Sequence, residues 1–150
     1  MSLHQEITNQ ALTPEQEIYR ENILDHYREP KNAGTLLEYD IKHRELNPLC
    51  GDEITVYILF DAKQKIKDIR FDGHGCAISQ ASMSMFTEMI QGKTVKEVAQ
   101  IKKEDILKML GIPIGIVRMK CALLSLRTVQ KGLVQSKEQR AKSKEIMSRA

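Results

Sequence analysis

The sequence predicts an α+β domain: a three-stranded antiparallel sheet with helices packed on one face. Three observations carry this. Short segments of alternating or β-branched character recur between Leu37 and Phe71, joined by links too tight for crossover helices. After Cys76 the apolar residues switch to helical spacing. Strands thus come first and most helices afterwards, which segregates them into layers. The 150 residues suit one domain over 1–150, with no internal repeat or low-complexity linker.

Residues 1–12 read as a loosely ordered tail. Thr13-Pro14-Glu15-Gln16 starts a helix, with Thr13 as N-cap, Pro14 at the first helical position and Gln16 closing a capping box. That helix runs to about Arg28, and Glu29 to Gly34 ends it. Leu37, Tyr39 and Ile41 alternate with Glu38, Asp40 and Lys42, which predicts a half-buried first strand. Asn47-Pro48-Leu49-Cys50-Gly51-Asp52 breaks the pattern. Ile54, Val56, Ile58 and Phe60 form a second strand, Asp61 to Lys65 a turn, and Ile66 to Phe71 a third strand. The segment from Cys76 through Ile90 carries Ile78, Met85, Phe86 and Met89 at helical spacing, with Gly92 as its C′ residue. Thr94 with Glu97 makes a second capping box, opening a short helical turn to about Ala99. Lys103 to Leu110 is a short helix stopped by Gly111, and Ile112 to Ile116 is an apolar loop. A last helix begins near Val117 or Arg118, with Ala122, Leu123, Leu126, Val129 and Leu133 along one stripe. Residues 136–150 mix Lys137, Arg140, Lys142, Lys144 and Arg149 with Glu138 and Glu145, as a solvated helix face or a loosely ordered tail does.

Composition removes several function classes. A net charge of +3 is too small to argue for nucleic acid. No apolar run approaches the roughly 18 residues of a membrane helix, and the polar start does not read as a secretory signal. Three cysteines is an odd number and no Cys-x-x-Cys pair is present, which argues against a disulfide framework and a thioredoxin-type motif. The expected compartment is the cytoplasm.

The chemistry concentrates on the thiols. Cys76 follows Asp72-Gly73-His74-Gly75 where a glycine-rich turn hands over to a helix. Unpaired N–H groups and the helix dipole favour thiolate there. Cys50 lies in the loop between two strands, with Asp52 two residues on. Cys121 lies near the start of the last helix, beside the cations Arg118 and Lys120. In a meander, the loop after the first strand and the end of the third share one edge of the sheet, so Cys50 and Cys76 can meet. A helix crossing the sheet can add Cys121. Three thiolates and a carboxylate at one point make a site for zinc or an iron–sulfur cluster. The oxygen of Asp52 is the harder ligand and suits a site that must release what it carries. His74 is the competing fourth ligand, set against its reading as an exposed turn residue. His26 and His43 read as surface or packing residues, and Met83, Met85 and Met89 as core.

At this point the sequence resembles a known family. Asn47-Pro48-Leu49-Cys50-Gly51-Asp52, Gly73-His74-Gly75-Cys76-Ala77-Ile78-Ser79-Gln80-Ala81-Ser82 and Arg118-Met119-Lys120-Cys121-Ala122-Leu123 are similar to the three cysteine motifs of the U-type iron–sulfur scaffold proteins, IscU, SufU and the N-terminal part of NifU. Tyr19, the run Ile23 to Tyr27, Pro30 and Asn32 resemble the family's N-terminal helix. The resemblance covers roughly Tyr19 to Leu133. It implies a SufE/NifU-like fold and a site of Cys50, Asp52, Cys76 and Cys121 that holds a transient [2Fe–2S] cluster or Zn2+. It also implies a cysteine desulfurase partner, with Cys50 and Cys121 as candidate persulfide acceptors, Arg118 and Lys120 as candidate partner-binding cations, and apo iron–sulfur proteins as recipients.

Two departures bear on the branch. Lys120 stands where IscU proteins have a histidine, and Ile112-Pro113-Ile114-Gly115-Ile116 does not match the stretch their Hsp70-type chaperone grips, which argues against release by that chaperone. Arg-x-Lys-Cys resembles the SufU branch, yet the step from Cys76 to Cys121 is too short for the segment SufU proteins insert there. Three readings follow: a scaffold that assembles a cluster and passes it on, a zinc-dependent sulfurtransferase, or a structural zinc site. The first is the expected function.

Overall fold

The structure is a computed structural model and describes residues 11–148, with side chains through Ser136. The element order is α1 (Pro14–Arg28), β1 (Ile41–Asn47), β2 (Asp52–Phe60), β3 (Ile66–His74), α2 (Ala77–Ile90), α3 (Val95–Ala99), α4 (Lys103–Leu110) and α5 (Ile116–Ser148). The sheet is antiparallel in the order β1-β2-β3. Helices α2 and α5 pack on one face, α5 across β1 and β2 and α2 against β3, while α1 lies on α2. This is the expected α+β layering.

Local chemistry explains most boundaries. Thr13 Oγ1 accepts from Gln16 N–H while Gln16 Oε1 accepts from Thr13 N–H, which closes the capping box of α1. Thr94 and Glu97 do the same for α3. Each such cap contributes about 1 kcal/mol. Gly111 ends α4 at φ +71°, a conformation that favours glycine, and the Tyr19 ring lies against its bare Cα.

Pairing register puts Ile41, Ile58 and Ile69 in one row across the inner face of the sheet, and His43, Val56 and Phe71 in the next. The core is completed by Ile78, Met83, Phe86 and Ile90 of α2 and by Ala122, Leu126, Val129 and Leu133 of α5, all buried. Full burial of each large side chain contributes about 1.5–3 kcal/mol relative to exposure. Met83 and Met85 are buried and Met89 packs against the same cluster, so the methionines are core. Three hydroxyl and amide contacts tie α1 and its exit to α2. His26 Nδ1 lies 2.7 Å from Ser84 Oγ, Lys31 N–H donates to the same oxygen at 2.7 Å, and Asn32 Nδ2 donates to Thr87 Oγ1 at 2.9 Å. The outer edge of β3 is covered by the segment after α1: Phe71 N–H donates to Asn32 O and Gly34 N–H to Phe71 O.

The first strand departs from its expected position. Leu37 is 101% exposed and Tyr39 45%, and neither is in a strand. The strand runs from Ile41 to Asn47 instead, and its inward residues after Ile41 are His43, Glu45 and Asn47. Polar residues can face the helix layer here because each finds a partner. His43 Nε2 lies 2.8 Å from Glu45 Oε1, whose carboxylate also meets Arg127 at 3.6 Å and Lys131 at 3.7 Å on α5. His26 and His43 are thus both packing residues, as expected.

Residues 136–148, expected as a solvated helix face or a loosely ordered tail, are helical backbone continuous with α5. The expected N-terminal tail falls, for residues 1–10, outside the described residues, and Leu12 already packs against the core. Among the described residues, no helix is long and apolar enough to cross a membrane.

Candidate metal centre

The site forms at one end of the sheet. Asn47 of β1 and Asp52 of β2 are the last paired residues of their hairpin, and the four-residue loop between them carries Cys50 at the surface. The end of β3 is paired beside them, Gly73 opposite Ile54 and His74 opposite Glu53. The chain then turns through Gly75 into α2, with Cys76 as its N-cap. Cys121 lies in the second turn of α5 and is fully buried. The sequence thus needs three separate elements to deliver its three sulfurs, and the meander and the long helix deliver them.

Ligand atoms of Cys50, Asp52 and Cys121 all lie within 4.8 Å of one another. Zn–S bonds of about 2.3 Å in a tetrahedron put neighbouring donors roughly 3.8 Å apart, so this trio can close on one ion with small adjustment. Cys76 is not in that trio, but it is tied to it twice. Its N–H donates to Asp52 Oδ1 at 2.9 Å, and its thiol is electrostatically coupled to that of Cys121. Asp52 is 1% exposed and is held from a second side, where Asn47 Nδ2 donates to its Oδ2 at 3.3 Å. The same amide reaches Cys121 Sγ at 3.6 Å. Gly75 leaves room for this: a Cβ there would sit 2.3 Å from Asp52 Oδ1 and 2.6 Å from Ser79 Oγ.

The electrostatics separate the thiols. The interaction with Cys121 is the largest influence on Cys76. With the Ser79 N–H and hydroxyl, it outweighs burial and the nearby Asp52 and lowers the Cys76 thiol to about 6. Cys121 moves the other way. Interacting with Cys76, buried, and beside Asp52 and Cys50, it is pushed well above the usual thiol range. The two thiols thus titrate as a pair, and the first proton leaves far more readily than the second. Arg118 faces this pair. Burial works against its cation, but attraction and a hydrogen bond to Cys76, with Cys121 and Cys50 adding, raise its pKa overall. Lys120 is exposed.

His74 stays outside. Its side chain is 71% exposed and its Nε2 pairs with Glu53 Oε2 at 3.2 Å on the outer face of the sheet. It is exposed as expected, but it is the last residue of β3, paired with Glu53, rather than a turn residue. Sequence reasoning did not single out Asn47 or Ser79 as parts of the site, and it read Gly75 only as part of the turn before Cys76. Only the strand register, which sets Asn47 opposite Asp52, points to the first.

A family model described as the NifU-like N terminal domain matches residues 18–143. The chain belongs to that family. Its relatives include the iron sulfur cluster assembly protein 1, mitochondrial, of Debaryomyces hansenii, 38% identical over 75% of this chain and 64% of that protein. The chain thus matches somewhat under two thirds of that relative's length. It is 33% identical to the zinc-dependent sulfurtransferase SufU of Bacillus subtilis, over 77% of this chain and 89% of that one. It is 34% identical to the iron–sulfur cluster assembly scaffold protein IscU 1 of Archaeoglobus fulgidus, over 78% and 75%. Among solved structures, a candidate iron–sulfur cluster assembly scaffold protein for the SUF system from Fervidobacterium islandicum superimposes with a TM-score of 0.68 at 34% identity, covering 79% of this chain and 98% of that one.

Proposed function

We propose that the chain is an iron–sulfur cluster assembly scaffold, which receives sulfur from a cysteine desulfurase, binds iron and hands the nascent cluster to apo-proteins. The observation that carries this is the meeting of Cys50, Asp52 and Cys121 ligand atoms within 4.8 Å, with Cys76 hydrogen-bonded to the group. Two soft sulfurs and an oxygen, with a third sulfur adjacent, fit iron or zinc better than a hard cation. Cys50, Asp52, Cys76 and Cys121 would hold the iron and its sulfide, most simply as a [2Fe–2S] unit. The single carboxylate is the ligand that exchanges most readily.

The chain's own residues support sulfur transfer. The thiolate of the exposed Cys50 attacks the outer sulfur of a persulfide on the desulfurase, and the buried Cys121, whose thiol is pushed up, becomes a persulfide acceptor only once an ion or a partner has drawn off its proton. The new S–S bond forms as the old one breaks, and the desulfurase leaves as its cysteine thiolate. Nothing is oxidised or reduced in that step. Conversion of the sulfur to sulfide takes two electrons from a reductant outside this chain. Cys50 is exposed on its loop and is the sulfur a partner meets first. Exposed Leu49, Ile116 and Val117 and the cations Arg118 and Lys120 lie beside the cysteines in sequence and suit a partner's docking surface.

A second reading is zinc-dependent sulfur transfer, in which the site holds Zn2+ and Cys50 detaches to take the sulfur. Two observations favour it: Lys120 in place of a histidine, and the similarity to the Bacillus subtilis sulfurtransferase. One experiment separates the two. The protein is purified without oxygen, its zinc and iron are measured, and iron, cysteine and a desulfurase are added. A scaffold develops cluster absorption that moves to an apo-acceptor. A sulfurtransferase keeps its zinc and speeds desulfurase turnover. A chain that does neither overturns both readings.

A further inference from the structure

Asn47 is 2% exposed at the inner end of β1, directly opposite Asp52 in the strand register. Its side-chain amide has two N–H bonds, and the same nitrogen faces two of the proposed ligands, Asp52 Oδ2 at 3.3 Å and Cys121 Sγ at 3.6 Å. These two are the buried ligands, cut off from water that could otherwise solvate them. Closing the hairpin does not require this chemistry, since an apolar side chain of similar size would fill the corner. A neutral donor between a carboxylate and a thiolate does something packing cannot. It lets the Cys121 sulfur take the anionic, ligating form beside the Asp52 carboxylate in a dry place, where an unpaired charge is costly. It also fixes where each lone pair points.

We propose that Asn47 is a positioning residue of the metal centre, holding the Asp52 carboxylate and the Cys121 thiolate in ligand geometry through one amide. The inference rests on the metal-binding reading of the site. Two effects follow. The site is pre-organised, so less ordering remains for the ion to impose. The N–H···S contact also draws electron density from the Cys121 sulfur, and hydrogen bonds to ligand sulfur tune the electronic character of such centres. The amide carries no charge, so the ligand set keeps its own.

The test uses the metal-free full chain and its Asn47→Leu variant, titrated with cobalt(II) and with zinc. Loss of an outer-shell partner typically weakens metal binding about 10–100-fold, and that loss is expected here. The sulfur-to-cobalt charge-transfer band of the loaded variant is expected to shift to lower energy, because the sulfur becomes the better donor. Circular dichroism and thermal melting of both metal-free proteins report the fold. If Asn47→Leu does not fold, Asn47→Ala is judged on the same two readouts. Equal affinity with an unshifted band overturns the proposal. So does an affinity loss that only tracks lost fold stability with the band unmoved, which is a structural role. If the unaltered chain takes up neither ion, the metal-binding reading itself fails, and the positioning role with it.

Discussion

At the scale of the residue, the informative contrast is between Asp52 and Cys76. Asp52 is the only oxygen donor in the trio and is held from both sides, by Asn47 and by the Cys76 N–H. Asp52→Ala removes the ligand that exchanges most readily. An assembled cluster is expected to survive longer on the variant, about tenfold, which is about 1.4 kcal/mol on the release barrier. Decay of visible absorption in the presence of an apo-acceptor measures it, and a shortened lifetime counts against Asp52 as the release ligand. Cys76 gives a pH prediction. Its thiol is lowered to about 6 by the interaction with Cys121. In metal-free protein its alkylation rate should therefore rise as pH climbs through about 6 and then level off, whereas an ordinary thiol keeps gaining up to about 8.5. Mapping the labelled cysteine by mass spectrometry along a pH series checks this. Cys121→Ala removes the group whose interaction lowers the Cys76 thiol and should move the inflection upward. The three cysteines were legible in the sequence because thiols are rare and each sits by a glycine or a cation. Asn47 was not, because an Asn-Pro pair reads as turn chemistry and nothing local reveals that its amide meets a sulfur 74 positions away.

At the scale of the element, α5 is the part that completes the site, and its seating on β1 decides where Cys121 lies. Gly132 makes that seating close. A Cβ there would come within 3.0 Å of His43 Cβ and 3.2 Å of Ile41 Cγ2. Gly132→Leu is expected to lift α5 from β1, lowering stability by about 1–3 kcal/mol through overpacking. Metal affinity should fall with it, because Cys121 rides on the same helix. Calorimetry and zinc competition on one preparation test both arms, and a variant of unchanged melting temperature and affinity rejects the seating argument. The same strand shows why part of the fold was hidden. Alternation of Leu37, Tyr39 and Ile41 pointed to a strand a few residues too early. The real β1 turns His43, Glu45 and Asn47 inward, where α5 supplies Arg127 and Lys131 for the carboxylate. Hydrophobic patterning cannot see a face whose burial depends on ion pairs from another element. The second strand, with Ile54, Val56 and Ile58 buried, and the capped helices were visible because their signals are local.

At the scale of the whole molecule, the proposed ligands come from the β1–β2 loop, the start of β2, the start of α2 and the second turn of α5. No two of these elements but the hairpin strands are neighbours in sequence. An ion bound there cross-links the sheet to both major helices, so binding should raise the stability of the entire domain. At a free zinc concentration of 100 times the dissociation constant the gain is about 2.7 kcal/mol, or roughly 5–11 °C at about 2–4 °C per kcal/mol. A melting series with added zinc, then with excess chelator, measures it. Cys121→Ser should lose most of the increment, and a melting temperature indifferent to zinc argues that nothing is bridged. Exposure also changes from one sulfur to the next: Cys50 is at the surface, Cys76 half-buried, Cys121 enclosed. The set of sulfurs therefore has an outer and an inner member. Anything arriving from outside touches Cys50 first, and the innermost thiol is shielded until the outer ones have been passed, which gives traffic through this protein a direction.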